Sequence, residues 1–161
     1  PVVGVVQGAA FGGALGLISA CDYVIAEEKT QFCFSEVKLG IAPAVISAFI
    51  LKKISRGYVA PLMLSAKVFS EHQALQMGLI HEICPTGEAH HQLQQFLHQI
   101  SICGPQAVRA TKKLIENLPN LSWLEQKNQT TDLIAKLRTS DEGQDGLKSF
   151  LNKKSPSWVE G

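Results

Sequence analysis

The order of apolar and polar positions in the first half of the chain predicts short strands joined by helices. The chain opens on the β-branched run VVGVV, which is typical of a strand buried on both faces. A glycine-dense turn follows, and the largely apolar residues 14–20 predict a helix that begins directly after it. Two more strands are predicted at residues 23–26 and 31–34, with the polar residues 27–30 as the turn between them.

Helical spacing dominates the rest of the chain. After an irregular bend at residues 38–44, apolar positions predict helices over 45–53, 58–64 and 71–77. A brief extended piece is predicted over 67–69, and a last strand over 79–84. Beyond Pro85 only helices are predicted, over 86–102, 105–118, 123–138 and 141–152, with Ser122 and Ser140 as caps. The sequence therefore predicts an α/β region, residues 1–85, followed by a helical region, residues 86–161.

Composition narrows the class of protein. The chain has 161 residues, which is the size of one domain, and is 45% hydrophobic. Because its net charge is only +1, no broad basic surface for nucleic acid is expected. No apolar run approaches the roughly 18 residues of a membrane span. The four cysteines show no metal-ligand spacing and predict reduced core thiols, and the five histidines lie in polar surroundings that predict solvated side chains. We expect a cytoplasmic protein without a metal, a nucleic-acid partner or a membrane partner.

Glycines crowd the segment after the first strand. Gly8, Gly12 and Gly13 allow the backbone to turn sharply and to approach a ligand closely. The free N–H groups at the start of the following helix favour negative charge, so this turn can hold an oxyanion. The alternative is that a buried turn between strand and helix needs small residues merely to pack.

One acid is isolated in an apolar setting. Glu36 is flanked in sequence by Phe34, Val37, Leu39 and Ile41. Burial among such side chains disfavours the charged carboxylate and raises its pKa, which suits a general acid or base near neutral pH. The alternative is a capping or solvated glutamate at the end of a strand.

Four segments, in this order and spacing, resemble one known family. They are QGAAFGGALGL with CDYVIA, then FCFSEVKLGIAP, then KVFSEHQALQMGLIHEI, and finally EGQDGLKSFLNKKSPSW. Together they resemble the C-terminal part of a crotonase-superfamily protein, with the enoyl-CoA hydratase/isomerase fold. The resemblance implies a ββα spiral core of the ClpP-like type without its N-terminal half, then a helical trimerisation region, with a trimer or dimer of trimers as the assembly.

The resemblance also implies roles for individual residues. Gly13 matches the residue whose backbone N–H is one of two oxyanion donors to the thioester carbonyl, and Gly12 and Ala14 shape that turn. Glu36 matches the second of the two catalytic glutamates of the hydratases. Gly16 stands where typical hydratases carry the first glutamate, so a single acid remains.

The start of the chain bears on completeness. The chain opens at Pro1, without a methionine, and enters a core-type strand at once, which we interpret as a piece of something longer. By the resemblance, the other oxyanion donor and much of the CoA-binding surface lie upstream of Pro1.

A single acid leaves three functional hypotheses. In the first, Glu36 activates water alone and Gly16 opens room for a bulky acyl chain, as in hydratases of methylglutaconyl-CoA or carboxygeranoyl-CoA, the branch that GAAFGGALGL and FSEVKLG resemble most. In the second, Glu36 moves a proton from C2 to C4 in an isomerase. In the third, the chain is a non-catalytic or truncated subunit. The substrate is an acyl-CoA, whose CoA belongs to the substrate, and no separate cofactor is expected.

Other charged residues give weaker indications. Lys153 and Lys154 match a basic tail that reaches CoA phosphates in this family, and the alternative is a solvated helix end. Asp22 is interpreted as a structural hydrogen-bonding residue. Lys38 is a candidate for a substrate carboxylate, although a solvated loop lysine is the simpler interpretation.

Overall fold

In the computed structural model, residues 1–159 are described, and they contain six strands and eight α-helices. The strands are β1 (Val3–Val6), β2 (Ala9–Phe11), β3 (Tyr23–Glu27), β4 (Gln31–Cys33), β5 (Phe69–Ser70) and β6 (Glu82–Cys84). The helices are α1 (Gly13–Ala20), α2 (Ala44–Lys53), α3 (Arg56–Ser65), α4 (Glu71–Gln76), α5 (Ala89–Ser101), α6 (Pro105–Asn117), α7 (Trp123–Thr139) and α8 (Asp141–Leu151). Short 3₁₀ helices form at Glu36–Leu39 and Leu118–Asn120.

Packing groups the chain into two units, residues 1–95 and 96–161. The sequence places the boundary ten residues earlier, after residue 85, whereas the structure keeps the start of α5 with the first unit. The last two positions of the predicted helical region, Glu160 and Gly161, lie outside the described residues. No helix among residues 1–159 is long and apolar enough to cross a bilayer.

Two three-stranded sheets lie in the first unit, and the strands from β1 to β4 enter them alternately. One sheet has the order β1-β3-β6 and is parallel throughout, while the other has the order β2-β4-β5, in which β2 and β4 are parallel and β5 is antiparallel. Because β1 and β2 precede α1, and β3 and β4 precede α2, the chain repeats a ββα turn. This confirms the predicted α/β class.

Aromatic packing fixes the end of β4, which leads into Glu36. Phe32 and Phe34 are fully buried, and both rings stack on Phe69 of β5, with centroids 5.5 and 5.8 Å apart. Each such pair contributes about 1 kcal/mol beyond the burial of its area. The backbone immediately before Glu36 is therefore held by the core.

The side chains of Lys53 and His81 form hydrogen bonds between elements of the first unit. The Lys53 ammonium donates to the carbonyl oxygens of Cys21 (3.0 Å) and Ile18 (3.4 Å), where a cation is favourable at the end of a helix. The N–H of Val24 donates to Nδ1 of His81 at 2.9 Å, which joins β3 to the residue before β6. Burial lowers the pKa of both Lys53 and His81.

Caps define the helices of the second unit. Gly104 has no side chain to cap α6, and the Glu142 carboxylate of α8 instead accepts from the N–H groups of Gln106 (2.9 Å) and Ala107 (2.8 Å). Ser140 caps α8 as predicted, because its hydroxyl accepts from the N–H of Gly143 at 3.1 Å.

The structure departs from the predicted elements at several points. Ala9–Phe11 forms β2, where the sequence pattern shows only a turn, because this three-residue strand is defined by pairing with the distant β4. Residues 79–81 precede β6 instead of belonging to it, since the N–H of Leu79 bonds the carbonyl of Ala74 at the end of α4. The helix predicted over 58–64 begins earlier, at Arg56, so Gly57 lies inside α3.

The cysteines differ in burial. All four are free thiols, but only Cys33 and Cys84 are buried, while Cys21 is partly exposed and Cys103 is exposed. The prediction of a core thiol is therefore wrong for Cys103, which lies in the short segment between α5 and α6, where neighbouring apolar residues in sequence do not enclose it.

Candidate functional site

The glycine turn takes a backbone conformation that requires glycine. Gly12 has φ 56° and ψ −124°, a backbone conformation that residues other than glycine adopt only with strain. Its N–H donates to the carbonyl oxygen of Cys33 at 2.9 Å, which attaches the turn to the end of β4. Gly8 has φ 72°, and its carbonyl accepts from the N–H of Gln31 at 2.8 Å, at the start of the same strand. Gly8 and Gly12 thus flank β2, and both are hydrogen-bonded to β4.

Gly13 begins α1 and faces open space. It is exposed, and a Cβ built on it would meet no atom within 4 Å outside its own neighbourhood. Its N–H belongs to the first turn of the helix, where backbone N–H groups lack an intrahelical partner. A negatively charged or carbonyl oxygen can therefore approach this helix start.

Glu36 lies across from this turn, in the 3₁₀ helix that follows β4. Its Oε1 is 3.5 Å from the position that a Cβ on Gly12 would occupy. Its Oε2 is buried and has no hydrogen-bond partner among the described residues. Buried polar atoms are normally paired, so an unpaired carboxylate oxygen indicates a place for a ligand or a water. The structure thus brings together Glu36 and the turn of Gly12, Gly13 and Ala14.

The surroundings of Glu36 are less apolar than the sequence predicts. Of its apolar neighbours in sequence, Phe34 is fully buried, whereas Val37, Leu39 and Ile41 are exposed. The difference arises because residues 36–39 turn as a 3₁₀ helix on which Val37 and Leu39 are exposed, while Ile41 lies beyond its end. Glu36 itself is half-buried.

The space beside Gly16 is already filled. Gly16 is buried in α1, and a Cβ built on it would lie 2.6 Å from Cγ2 and 3.0 Å from Cβ of Ile46, in the first turn of α2. The expectation that Gly16 opens room for a bulky acyl chain is therefore wrong for this site. Sequence reasoning missed Ile46, because its contact with Gly16 depends on how two helices meet.

The weaker candidates lie on different elements of the fold. Asp22 has the predicted structural role, since its carboxylate accepts from the N–H of Val2 at 2.6 Å. Lys38 is exposed on the 3₁₀ helix. Lys153 and Lys154 are exposed after the end of α8, in the second unit. Residues 1–159 contain no group of three or more His, Cys, Asp or Glu side chains arranged to hold a metal ion.

Comparisons with known proteins agree with this architecture. The family described as enoyl-CoA hydratase/isomerase matches residues 1–161. An enoyl-CoA hydratase from Shewanella pealeana has a crystal structure that aligns with a TM-score of 0.91 at 39% identity, covering 98% of this chain and 59% of its own. An enoyl-CoA hydratase/isomerase from Marinobacter aquaeolei aligns with a TM-score of 0.92 at 26% identity, covering 98% of this chain and 60% of its own.

A curated relative gives the same assignment. The enoyl-CoA hydratase ACTT6 of Alternaria alternata is 29% identical over 158 residues, covering 97% of this chain and 53% of that protein. This chain therefore spans little more than half the length of the proteins it matches. The family match over all residues and the shared fold confirm the resemblance in the sequence: this chain belongs to the enoyl-CoA hydratase/isomerase family of the crotonase superfamily.

Proposed function

We propose that the protein processes an acyl-CoA by stabilising an enolate, and that it hydrates an enoyl-CoA with Glu36 as the acid and base. One observation carries the proposal: the buried, unpartnered Oε2 of Glu36, on a carboxylate that lies against the glycine turn at the start of α1. An acid with a free oxygen beside an open helix start is what proton transfer next to an oxyanion requires.

The chemistry follows from these two groups. The thioester oxygen accepts from the N–H of Gly13, and a preorganised donor of this kind contributes about 3 kcal/mol when negative charge moves onto that oxygen. Glu36 removes a proton from water as the oxygen attacks C3, and the resulting enolate takes a proton from Glu36 at C2. The C2–C3 double bond becomes a single bond, and the carboxylate returns to its starting state.

A second candidate, isomerisation, is favoured by the same single carboxylate. Glu36 would remove a proton from one carbon of the acyl chain and return it two carbons away, which needs one base and no water. Since the Gly16 side of α1 supplies no second acid, the site suits this proton shuttle as well.

For the acyl group, we propose the methylglutaconyl or carboxygeranoyl type. The support is the resemblance of GAAFGGALGL and FSEVKLG to that branch, together with the exposed Lys38 on the 3₁₀ helix of Glu36, available to a carboxylate on the acyl chain. Space beside Gly16 gives no support, because Ile46 occupies it.

The remaining partners are proposed with the function. CoA is part of the substrate and no separate cofactor is required, with Lys153 and Lys154 as candidates for contact with its phosphates. Exposed apolar side chains support a homotrimer or a dimer of trimers, since Leu17, Leu39, Val45 and Leu64 are each more than 70% exposed in the single chain. Four free cysteines are compatible with a cytoplasmic location.

Product analysis tests the proposal directly. The protein is expressed from its full native gene, and its mass is measured by mass spectrometry. It is then incubated in D₂O with 3-methylglutaconyl-CoA, crotonyl-CoA and a 3-enoyl-CoA in separate reactions. Hydration in D₂O adds one molecule of D₂O across the double bond and leaves a non-exchanging deuterium at C2, whereas isomerisation yields an isomer without an added oxygen. A hydrated product supports the proposal, a shifted double bond supports the isomerase, and no turnover of any enoyl-CoA supports a non-catalytic subunit.

A further inference from the structure

We propose that Ile46 is a positioning residue that keeps a second carboxylate out of this site, because its Cγ2 and Cβ lie 2.6 and 3.0 Å from the place that a Cβ at position 16 would occupy. The inference rests on the proposed function and deepens it. It concerns how the packing of two helices decides which acids the site can contain.

Position 16 lies one turn beyond the glycine turn, on the side of α1 that faces the segment from Glu36 to α2. A substituent built on Gly12 points at Glu36, whose Oε1 is 3.5 Å away, and a substituent built on Gly16 points at Ile46. The two built substituents thus meet consecutive segments of the chain, the 3₁₀ helix of Glu36 and the first turn of α2.

Ile46 has little freedom to move aside. It is 8% exposed, belongs to the main core cluster and lies in the first turn of α2. A β-branched side chain in a helix is restricted to one preferred rotamer, so Cγ2 cannot swing away from position 16. The contact involves Cβ as well, at 3.0 Å, which rotation about χ1 does not relieve.

Two conservative substitutions at position 46 separate the packing contact from hydrophobicity. Ile46→Leu keeps the number of carbon atoms but removes Cγ2, whereas Ile46→Val keeps Cγ2 and shortens the other branch. In the gene-encoded protein, we expect Gly16→Ala to lower the thermal midpoint by about 5 °C, as overpacking of a core does. Ile46→Leu should relieve at least half of that loss, and Ile46→Val should not.

A functional variant tests the consequence for catalysis. Gly16→Glu is expected to reduce kcat/KM for crotonyl-CoA, and the double variant Gly16→Glu/Ile46→Ala should recover about tenfold and add a second ionisation to its pH–rate profile. A purely structural role of Ile46 would restore the thermal midpoint without changing that profile.

The outcomes separate the inference from the function on which it rests. The inference is overturned if Gly16→Ala lowers the thermal midpoint equally in the unsubstituted protein, in the Ile46→Leu variant and in the Ile46→Val variant. An unchanged pH–rate profile in the double variant overturns it too. Absence of turnover by the unsubstituted protein with every enoyl-CoA overturns the proposed function instead, while the thermal midpoints still show whether Ile46 excludes side chains at position 16.

Discussion

Replacing Gly12 with alanine should destabilise the first unit, whereas the same change at the adjacent Gly13 should not. Gly12 has φ 56° and ψ −124°, and its N–H is bonded to the carbonyl of Cys33. Gly13 has an ordinary helical conformation in α1. Both substitutions add one methyl group, at neighbouring positions. The difference between their free energies of unfolding therefore measures the backbone strain that alanine has at position 12 and lacks at position 13.

The structure sets the magnitude of each effect. Alanine in the sparsely populated region occupied by Gly12 costs about 1–3 kcal/mol. The added Cβ would also meet Oγ of Ser35 at 3.3 Å and Oε1 of Glu36 at 3.5 Å, close contacts that small movements of these side chains relieve. At Gly13 the added Cβ meets no atom within 4 Å, and alanine is a better helix former, so the change should be neutral or stabilising by up to about 0.5 kcal/mol.

Urea unfolding followed by far-UV circular dichroism measures the difference in the free energy of unfolding. Tryptophan fluorescence serves as a second probe that reports on the other unit, because Trp123 and Trp158 both lie in residues 96–161. Equal free energies of unfolding for Gly12→Ala and Gly13→Ala would refute the assigned backbone conformation of the turn.

Two further predictions concern the hydrogen bonds of His81 and Lys53. Nδ1 of His81 accepts from the N–H of Val24, and burial lowers the pKa of His81, so the unfolded chain binds the proton more readily than the folded chain. The contribution of His81 to the free energy of unfolding is therefore fully present above about pH 6.5, the ordinary pKa of histidine, and is lost as the pH falls through the lower pKa of the folded state. Thermal midpoints between pH 8 and 5 should therefore fall less in His81→Asn than in the unsubstituted protein. Lys53→Met keeps the apolar stem but removes the donors to Cys21 and Ile18, and should cost about 1 kcal/mol in urea unfolding, whereas no change would mean that the cation adds nothing at the end of α1.

Local signals in the sequence account for the elements that were predicted well. Ser122 and Ser140 precede long amphipathic segments, and the sequence predicts helices over 123–138 and 141–152 where the structure has Trp123–Thr139 and Asp141–Leu151. The three-residue strand β2 escapes prediction because its partner β4 lies far along the chain. A strand this short carries no periodicity of its own.

The same distinction applies to the site. Proximity of the glycine turn to Glu36 is predictable, because the family motifs place both, and the structure brings them together. The contact between Gly16 and Ile46 is not predictable from one sequence, since the crossing of two helices decides it. The outward orientation of Leu39 likewise depends on a 3₁₀ turn that the sequence shows only as an irregular bend.

Turnover by Glu36→Gln in the gene-encoded protein tests the central claim most directly. The substitution preserves the shape of the side chain and removes the base, so kcat for the best enoyl-CoA should fall by about 10²–10⁴-fold. Glu28→Gln makes the same change of charge at an exposed position in the turn after β3 and should retain full activity. If Glu36→Gln keeps activity within a few-fold of the unsubstituted protein, Glu36 is not the acid and base of this site.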